Sequence, residues 1–323
     1  MLARLAENLF WTGRYVERAE GTALLLDVTY HGLLESHHSE ARQAWQDLLA
    51  VLHVKEPFAA AHDEPTHAAV TDFLVLDDDN PGSITSSIER ARENARSVRE
   101  LISTELWQTM NDFALDMRAR DLARDLDRNP HELYGTVKLR CQTIYGVASE
   151  TMPRDDGWRF MMLGRMLERA EMTCRLLNVR YAQLERRGAD SHDWVSVLKS
   201  AGAFEAYRKT HRVTMDAGLV VEFLLWNETF PRSVLFCLRA AEAGLAALCG
   251  AEPSRPGARS QRLLGRIRAE LEYRDIGELL EEGLHDFLDR VQEQVWAVAD
   301  AVADEFFRHE LRAGLPQQQI QRA

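Results

Sequence analysis

Apolar residues recur along this chain at spacings of three and four positions, the period that places them on one face of a helix. The clearest stripe near the amino terminus consists of Leu5, Leu9, Thr12, Val16, Ala19, Ala23 and Leu26. No segment has the alternating pattern of a strand. Proline and glycine form breaks at only a few places, around residues 57–65, 77–82, 129–130, 153–157 and 249–257. The pattern predicts an all-α protein built as a multi-helix bundle.

The chain also contains an internal repeat. Residues 13–28 read GRYVERAEGTALLLDV and residues 164–179 read GRMLERAEMTCRLLNV, 151 positions later (164 minus 13). Further along, Pro81-x-Ser83 aligns with Pro231-x-Ser233 at an offset of 150 (231 minus 81). Matches in one order at a nearly constant offset indicate duplication of a multi-helix unit.

The repeat predicts how the chain is divided. We expect a first helical unit at 1–153 and a second at 154–313, related by a pseudo-two-fold axis and packed as one body. The last residues, 314–323, are polar and are expected to form a disordered tail.

The repeated helix carries charges in an apolar setting. Arg14, Glu17 and Arg18 lie opposite the apolar stripe, but Phe10 and Leu24 flank them. A helix that is apolar around most of its circumference is usually central, so these charges are expected to be partly buried and therefore paired. Together with the second copy, the candidate ligand-binding residues are Arg14, Glu17, Arg18, Glu20, Arg165, Glu168, Arg169 and Glu171.

Two interpretations of these charges are open. They form either a structural ion-pair network between the halves, or a cavity whose arginines bind a carboxylate or phosphate while the glutamates hold the guanidinium groups. Gly13 and Gly164, next to the charges, would permit close approach of another backbone, although each glycine in a helix costs about 1 kcal/mol.

The composition and charge of the chain exclude some classes of function. A net charge of −12 excludes broad binding to nucleic acid, which needs an excess of basic residues. No apolar run approaches the roughly 18 residues of a membrane span, and the amphipathic start without a signal peptide favours the cytoplasm. The four cysteines, without C-x-x-C spacing, are expected to be buried thiols: Cys141, Cys174, Cys237 and Cys249.

The opening segment 5–20, LAENLFWTGRYVERAE, resembles the start of the α-E family of bacterial helical proteins, named for their helical character and Glu-Arg signature. Asn80-Pro-Gly-Ser-Ile84 and the segment 91–96, ARENAR, are similar to its middle part. The signature would be Glu17-Arg18 and, in the second copy, Glu168-Arg169. The resemblance runs almost end to end.

The resemblance implies association with ATP-grasp-type ligases, and often with transglutaminase-like proteins, in peptide or amide-bond synthesis or modification. We therefore expect an accessory or substrate-positioning protein that binds a peptide or another carboxylate-bearing ligand, with no cofactor or metal. The alternative is an enzyme acting on a carboxylate- or phosphate-bearing peptide, with Glu17 or Glu168 as acid or base. That role requires a glutamate pKa raised by burial.

Other residue patterns in the sequence give weaker indications of function. The pairs Glu35-x-x-His38 and Glu282-x-x-His285 have the spacing of a ferritin-like di-metal oxidase, but they do not occupy equivalent positions in the repeat. The acidic residues Asp77 to Asp79 lack the spacing of a Ca²⁺ loop and predict a turn before a helix start. The sequence contains no phosphate loop and no nucleophile in a recognisable setting.

Overall fold

The computed structural model describes residues 1–35, 38–187, 191–211, 215–250 and 257–308. These residues form helices joined by turns and contain no strand, which confirms the all-α prediction. The helices of the amino-terminal part are α1 (Ala3–Glu35), α2 (His38–Val51), α3 (Lys55–Ala61), α4 (His67–Val75), α5 (Ile84–Ser97), α6 (Thr104–Ala119), α7 (Leu122–Arg128) and α8 (Pro130–Thr151).

The carboxy-terminal part continues in the same manner and ends in a short π-helical turn, Ala303–Phe307. Its helices are α9 (Asp156–Arg187), α10 (Ser191–Ser200), α11 (Phe204–His211), α12 (Ala217–Trp226), α13 (Val234–Cys249), α14 (Arg259–Glu272), α15 (Ile276–Glu282) and α16 (Leu284–Val302). The tail at 314–323 lies outside the described residues, and the unit boundary near residue 153 stays a prediction.

The two long helices, α1 and α9, pack against each other in the middle of the molecule. Helices α5 and α8 flank α1, and helices α13 and α16 flank α9. The apolar stripe of α1 is buried from Leu9 to Leu26, as the periodicity predicts. In α9 the corresponding stripe from Phe160 to Leu177 is buried as well. Both central helices therefore face protein on most sides, which places their charged residues inside the molecule.

Gly13 and Gly164 lie where α1 and α9 cross. A Cβ atom on Gly13 would lie 2.0 Å from the carbonyl oxygen of Met161, and one on Gly164 would lie 2.0 Å from that of Phe10. Neither position has room for a side chain, so the backbones make the close approach that these glycines permit. The crossing is held further by Tyr145 of α8, whose hydroxyl donates to the Gly13 carbonyl at 2.8 Å.

Matching turns precede α5 and α13. In the first, the Asp77 side chain accepts from the Asp79 amide at 2.9 Å, and the Ser83 hydroxyl caps α5. In the second, the side chain of Asn227, 150 positions after Asp77 (227 minus 77), accepts from the Thr229 amide at 3.0 Å, and Ser233 caps α13. The acidic residues before Asn80 thus belong to a turn, as predicted.

Some sequence expectations need correction. Pro57 does not break a helix but lies in the first turn of α3, where a missing amide hydrogen is tolerated. Three cysteines are buried as expected, whereas Cys249 is only half-buried. None of the described helices combines the length and apolar character needed to cross a membrane.

Candidate functional site

Arginines from both central helices surround the carboxylates of Glu168 and Glu171. Arg18 holds Glu168 through Nε at 2.7 Å and Nη2 at 3.1 Å. Nη1 of Arg14 donates to both glutamates at 2.9 Å. Arg175 Nη2 donates to the second oxygen of Glu171 at 2.7 Å. We call these five residues the Glu168 cluster.

A second group surrounds Glu17 and Glu20 of α1. Arg169 holds Glu17 through Nε at 2.6 Å and Nη2 at 2.7 Å, and Arg165 Nε adds a bond of 3.3 Å. Arg232 donates to Glu17 at 3.2 Å and to Glu20 at 2.6 Å. We call these five residues the Glu17 cluster.

The two clusters join α1 and α9 reciprocally. Arg18 grips Glu168 as Arg169 grips Glu17, so each glutamate of a Glu-Arg pair binds the arginine of the other pair. The burial and pairing expected for these charges are confirmed, with Arg18 and Arg165 the more accessible members. All eight predicted residues lie in the clusters: Arg14, Glu17, Arg18, Glu20, Arg165, Glu168, Arg169 and Glu171. Ligand binding by them stays a prediction.

The third arginine of each cluster was not singled out from the sequence. Arg175 lies one turn after Glu171 on α9, whereas Arg232 comes from the turn before α13. In the repeat alignment Arg232 corresponds to Gly82, 150 positions earlier (232 minus 82). The sequence signal that could have identified Arg232 was a charged residue aligned with a glycine within otherwise matching motifs.

The arginines determine the protonation state of both signature glutamates. Burial alone opposes ionisation of Glu17, but Arg169, Arg232 and Arg165 outweigh it and lower its pKa to about 2. Burial likewise opposes ionisation of Glu168, and Arg18 and Arg14 lower its pKa to about 2. Both are therefore carboxylates at neutral pH. The raised glutamate pKa that acid or base catalysis would need is absent at these two positions.

Positive charge exceeds negative charge in this interior. The two clusters contain six arginines and four glutamates, an excess of two positive charges. Among the described residues, Nε and Nη2 of Arg14 and Nε of Arg175 are buried without a hydrogen-bond partner. A guanidinium presents Nε and Nη2 side by side, which is the edge that grips a carboxylate or phosphate. In Arg14 this edge is buried and closed to solvent.

A cavity of about 440 Å³ adjoins the Glu168 cluster. Arg18, Glu168 and Arg175 line it on one side, and Gly82 with its turn lines it on the other. Of the eight predicted residues, Arg18 and Glu168 are those that reach this cavity. His53, also in the lining, has the backbone angle φ of 57°, a left-handed conformation uncommon outside glycine.

The clusters predict a dependence of stability on acidity. Glu17 and Glu168 have a pKa near 2 in the folded protein and near 4.5 when free. A lowered pKa adds stability that is complete above the unfolded value and is lost as pH falls through the folded value. We expect the free energy of unfolding, measured with urea, to fall progressively from about pH 4.5 to about pH 2. A flat profile across this window would contradict the buried pairing.

The other candidate residues from the sequence, the Glu-x-x-His pairs and the cysteines, do not form a common site in the part of the chain that the structure describes. Glu35 and His38 lie outside the residues whose side chains the structure describes. Glu282 binds Arg274 at 2.6 Å, whereas His285 contacts Asn178, so this pair does not share a metal position. Burial raises the pKa of all four cysteine thiols, which leaves none of them an activated nucleophile: Cys141, Cys174, Cys237 and Cys249.

The family model named Alpha-E, described as a predicted alpha-helical domain with a conserved ER motif, matches residues 1–307. Similar sequences include an uncharacterized protein of Mycobacterium bovis and uncharacterized proteins of two strains of Mycobacterium tuberculosis. Each is 26% identical over 322 residues, covering 93% of this chain and 36% of the relative. The chain thus spans about a third of the length of these curated relatives. No solved structure matches it significantly.

Proposed function

The chain belongs to the Alpha-E family, and we propose that it is an accessory, substrate-positioning protein that holds an amino acid or short peptide for an ATP-grasp-type ligase. The ligand lies in the cavity beside the Glu168 cluster, with its carboxylate on Arg18 and Arg175. The reaction served is synthesis or modification of a peptide or amide bond. The free thiols suit a cytoplasmic location.

The observation that carries this proposal is the difference between the two clusters. In the Glu17 cluster, Arg232 enters from the turn before α13 and donates to both glutamates. In the Glu168 cluster the corresponding position is Gly82, and a cavity lies beside it. A purely structural network duplicated in two units would not require an arginine in one unit and a glycine in the other. A binding site requires the glycine, because the ligand occupies the volume that a side chain would otherwise fill.

The cavity lining also suggests which ligand fits. Arg18 and Arg175 supply positive charge on one side, and Asp77 and Asp79 line the cavity as well. A free amino acid or short peptide has a carboxylate for the arginines and an ammonium group for the aspartates. A volume of about 440 Å³ lies within the usual range for small-molecule sites, roughly 300–1,000 Å³.

An accessory role is favoured over catalysis by the state of the charged residues. Glu17 and Glu168 are ionised and fully engaged by arginine, so neither is suited to donate or accept a proton near neutral pH. Burial raises the pKa of the cysteine thiols, so they are not activated nucleophiles. The role proposed for the site is therefore to bind and orient a ligand.

The partner is proposed from the family resemblance, with a transglutaminase-like protein as a second associate. The longer mycobacterial relatives are compatible with it, since most of their length lies beyond the matched part. The test is to purify the chain with the ATP-grasp-type ligase of its native host and to measure ATP consumption and product formation. We expect no turnover from the chain alone and a changed rate or product for the ligase. ATP-dependent ligation by the chain alone would contradict the proposal.

The site itself is tested by a matched pair of substitutions. Arg175→Lys should weaken binding of short peptides about tenfold or more, because an ammonium lacks the fixed set of donors that can hold Glu171 and the ligand carboxylate together. Arg232→Lys changes the third arginine of the other cluster and should leave binding within about twofold of the parent. Calorimetric titration of both variants measures this, with C-terminally amidated peptides and inorganic phosphate as comparison ligands.

Two outcomes would contradict the assignment. Equal weakening of peptide binding by Arg175→Lys and Arg232→Lys would mean that the peptide does not bind specifically in the cavity beside Gly82. Tighter binding of phosphate than of peptides would replace the peptide carboxylate with a phosphate as the ligand.

We also propose that the chain arose by duplication, with units at 1–153 and 154–313 related by a pseudo-two-fold axis. Reciprocal gripping by Arg18 and Arg169 supports this, as do the matching turns before α5 and α13. Duplication would have produced two equal anion sites, of which Arg232 now fills one.

A further inference from the structure

A second cavity, of about 500 Å³, lies between α1 and the start of α8 on one side and α10 and α11 on the other. At its edge, Asp27 and His31 of α1 meet His131 of α8. One nitrogen of each imidazole and one oxygen of the carboxylate all lie within 4.8 Å of one another. The carboxylate is buried and both imidazoles are exposed to the cavity side. None of these residues takes part in the function proposed above.

We propose that Asp27, His31 and His131 bind a divalent first-row transition-metal ion. Asp27 Oδ1 lies 2.6 Å from His131 Nδ1 and 3.4 Å from His31 Nδ1. An ion bound at about 2.1 Å from each ligand separates neighbouring ligand atoms by roughly 3.0–3.4 Å. The three ligand groups thus lie close together, and metal binding requires an outward shift of His131, whose side chain is 56% exposed.

Groups next to the proposed ligands form hydrogen bonds with them, as the residues around metal ligands commonly do. Lys138 holds the other carboxylate oxygen of Asp27 at 2.5 Å, so one oxygen is fixed while the other faces the imidazoles. The Nδ1 of His31 also lies 2.9 Å from the main-chain oxygen of Asp27, so binding of an ion through this nitrogen would replace that contact. Outer hydrogen bonds such as that of Lys138 orient the ligands of metal ions.

The other half of the chain contains a related contact with one histidine. Asn178, which corresponds to Asp27 in the repeat, contacts His285 and donates to the Asp289 carboxylate at 2.6 Å. Ala182 occupies the position of His31. The second imidazole beside a carboxylate is therefore a feature of the first half that the repeat does not share.

The donor set selects the class of ion. Two imidazoles and one carboxylate suit Zn²⁺, Fe²⁺ and Co²⁺, whereas Mg²⁺ and Ca²⁺ prefer oxygen donors only. Three protein ligands leave coordination positions open, and these would face the cavity, where Lys199 and Glu205 are also found. Such an open position is what a metal needs to bind a further small molecule.

The experiment is calorimetric titration of the tag-free chain with Zn²⁺, together with the visible spectrum of the Co²⁺ form. We expect one ion per chain, a spectrum of imidazole-bound cobalt and no comparable binding of Mg²⁺. His131→Ala and Asp27→Asn should weaken Zn²⁺ binding by more than about 100-fold, since loss of an outer partner alone costs 10- to 100-fold. Lys138→Met should weaken it by about tenfold.

His285→Ala is the matched control, because it removes the corresponding histidine of the other half and should leave Zn²⁺ affinity unchanged. Circular dichroism of each variant establishes that it is folded. Absence of stoichiometric Zn²⁺ and Co²⁺ binding by the parent chain would overturn the proposal. Retention of binding by folded Asp27→Asn, or equal loss in His285→Ala, would overturn it as well.

Discussion

Replacing Glu17 or Glu168 by glutamine is expected to lower the free energy of unfolding by about 3–5 kcal/mol. Each carboxylate is almost fully buried and accepts bonds from at least two arginines. Glutamine has nearly the same shape but no charge, so the arginines would remain buried with their charge uncompensated. The interior already has a positive excess, which makes this loss more costly.

Chemical denaturation at neutral pH measures the effect. Glu93→Gln is the control, because Glu93 pairs with Arg96 on the surface, where an ion pair contributes about 0–1 kcal/mol. The variants should also show a shallower decline of stability in acid. A loss below about 1 kcal/mol for both buried glutamates would mean that water or another anion neutralises the arginines.

Replacing Gly13 or Gly164 by alanine should destabilise the protein by about 3 kcal/mol or more, the upper end for overpacking. The added Cβ would lie 2.0 Å from a main-chain oxygen of the facing helix, which cannot rotate away as a side chain can. The central helices would have to separate, and the ion pairs between them would lengthen. This cost outweighs the gain of about 1 kcal/mol that alanine brings to a helix.

Gly146→Ala provides the matched control for the helix effect. Gly146 lies within α8, and a Cβ there would meet no atom within 4 Å. We expect this variant to gain about 0.5–1 kcal/mol. Thermal and chemical unfolding of the three variants distinguish the effect of the helix crossing on stability from the effect of helix propensity. Comparable stability of Gly13→Ala and Gly146→Ala would contradict the close crossing.

We expect stability and binding to be separable at the Glu168 cluster, which would make the two interpretations of its charges compatible. Glu168 is expected to matter for folding because it neutralises Arg14 and Arg18. Arg175 is expected to matter for the ligand because it lines the cavity. A variant of Glu168 would lose both properties, whereas Arg175→Lys would lose binding alone.

The sequence was sufficient for the helical architecture and for the burial of the repeated charges. Helical periodicity is a local property, and the stripe from Leu5 to Leu26 shows it without reference to the rest of the chain. Gly13 and Gly164 permitted a close approach of another backbone, and the structure showed that the two glycines meet at the crossing of α1 and α9. Charges such as Arg14 and Glu17 in an apolar helix had to be paired, since an isolated buried charge is too costly.

Only the tertiary structure decided which charges meet and with what consequence. Arg232 lies 215 positions from Glu17, and Gly82 lies 86 positions (168 minus 82) from Glu168, which lines the same cavity. The direction of the glutamate pKa was beyond the sequence for the same reason. Burial raises that pKa and arginines lower it, so the outcome depends on how many arginines lie within a few ångströms. That number is a property of packing between distant segments, which no local pattern contains.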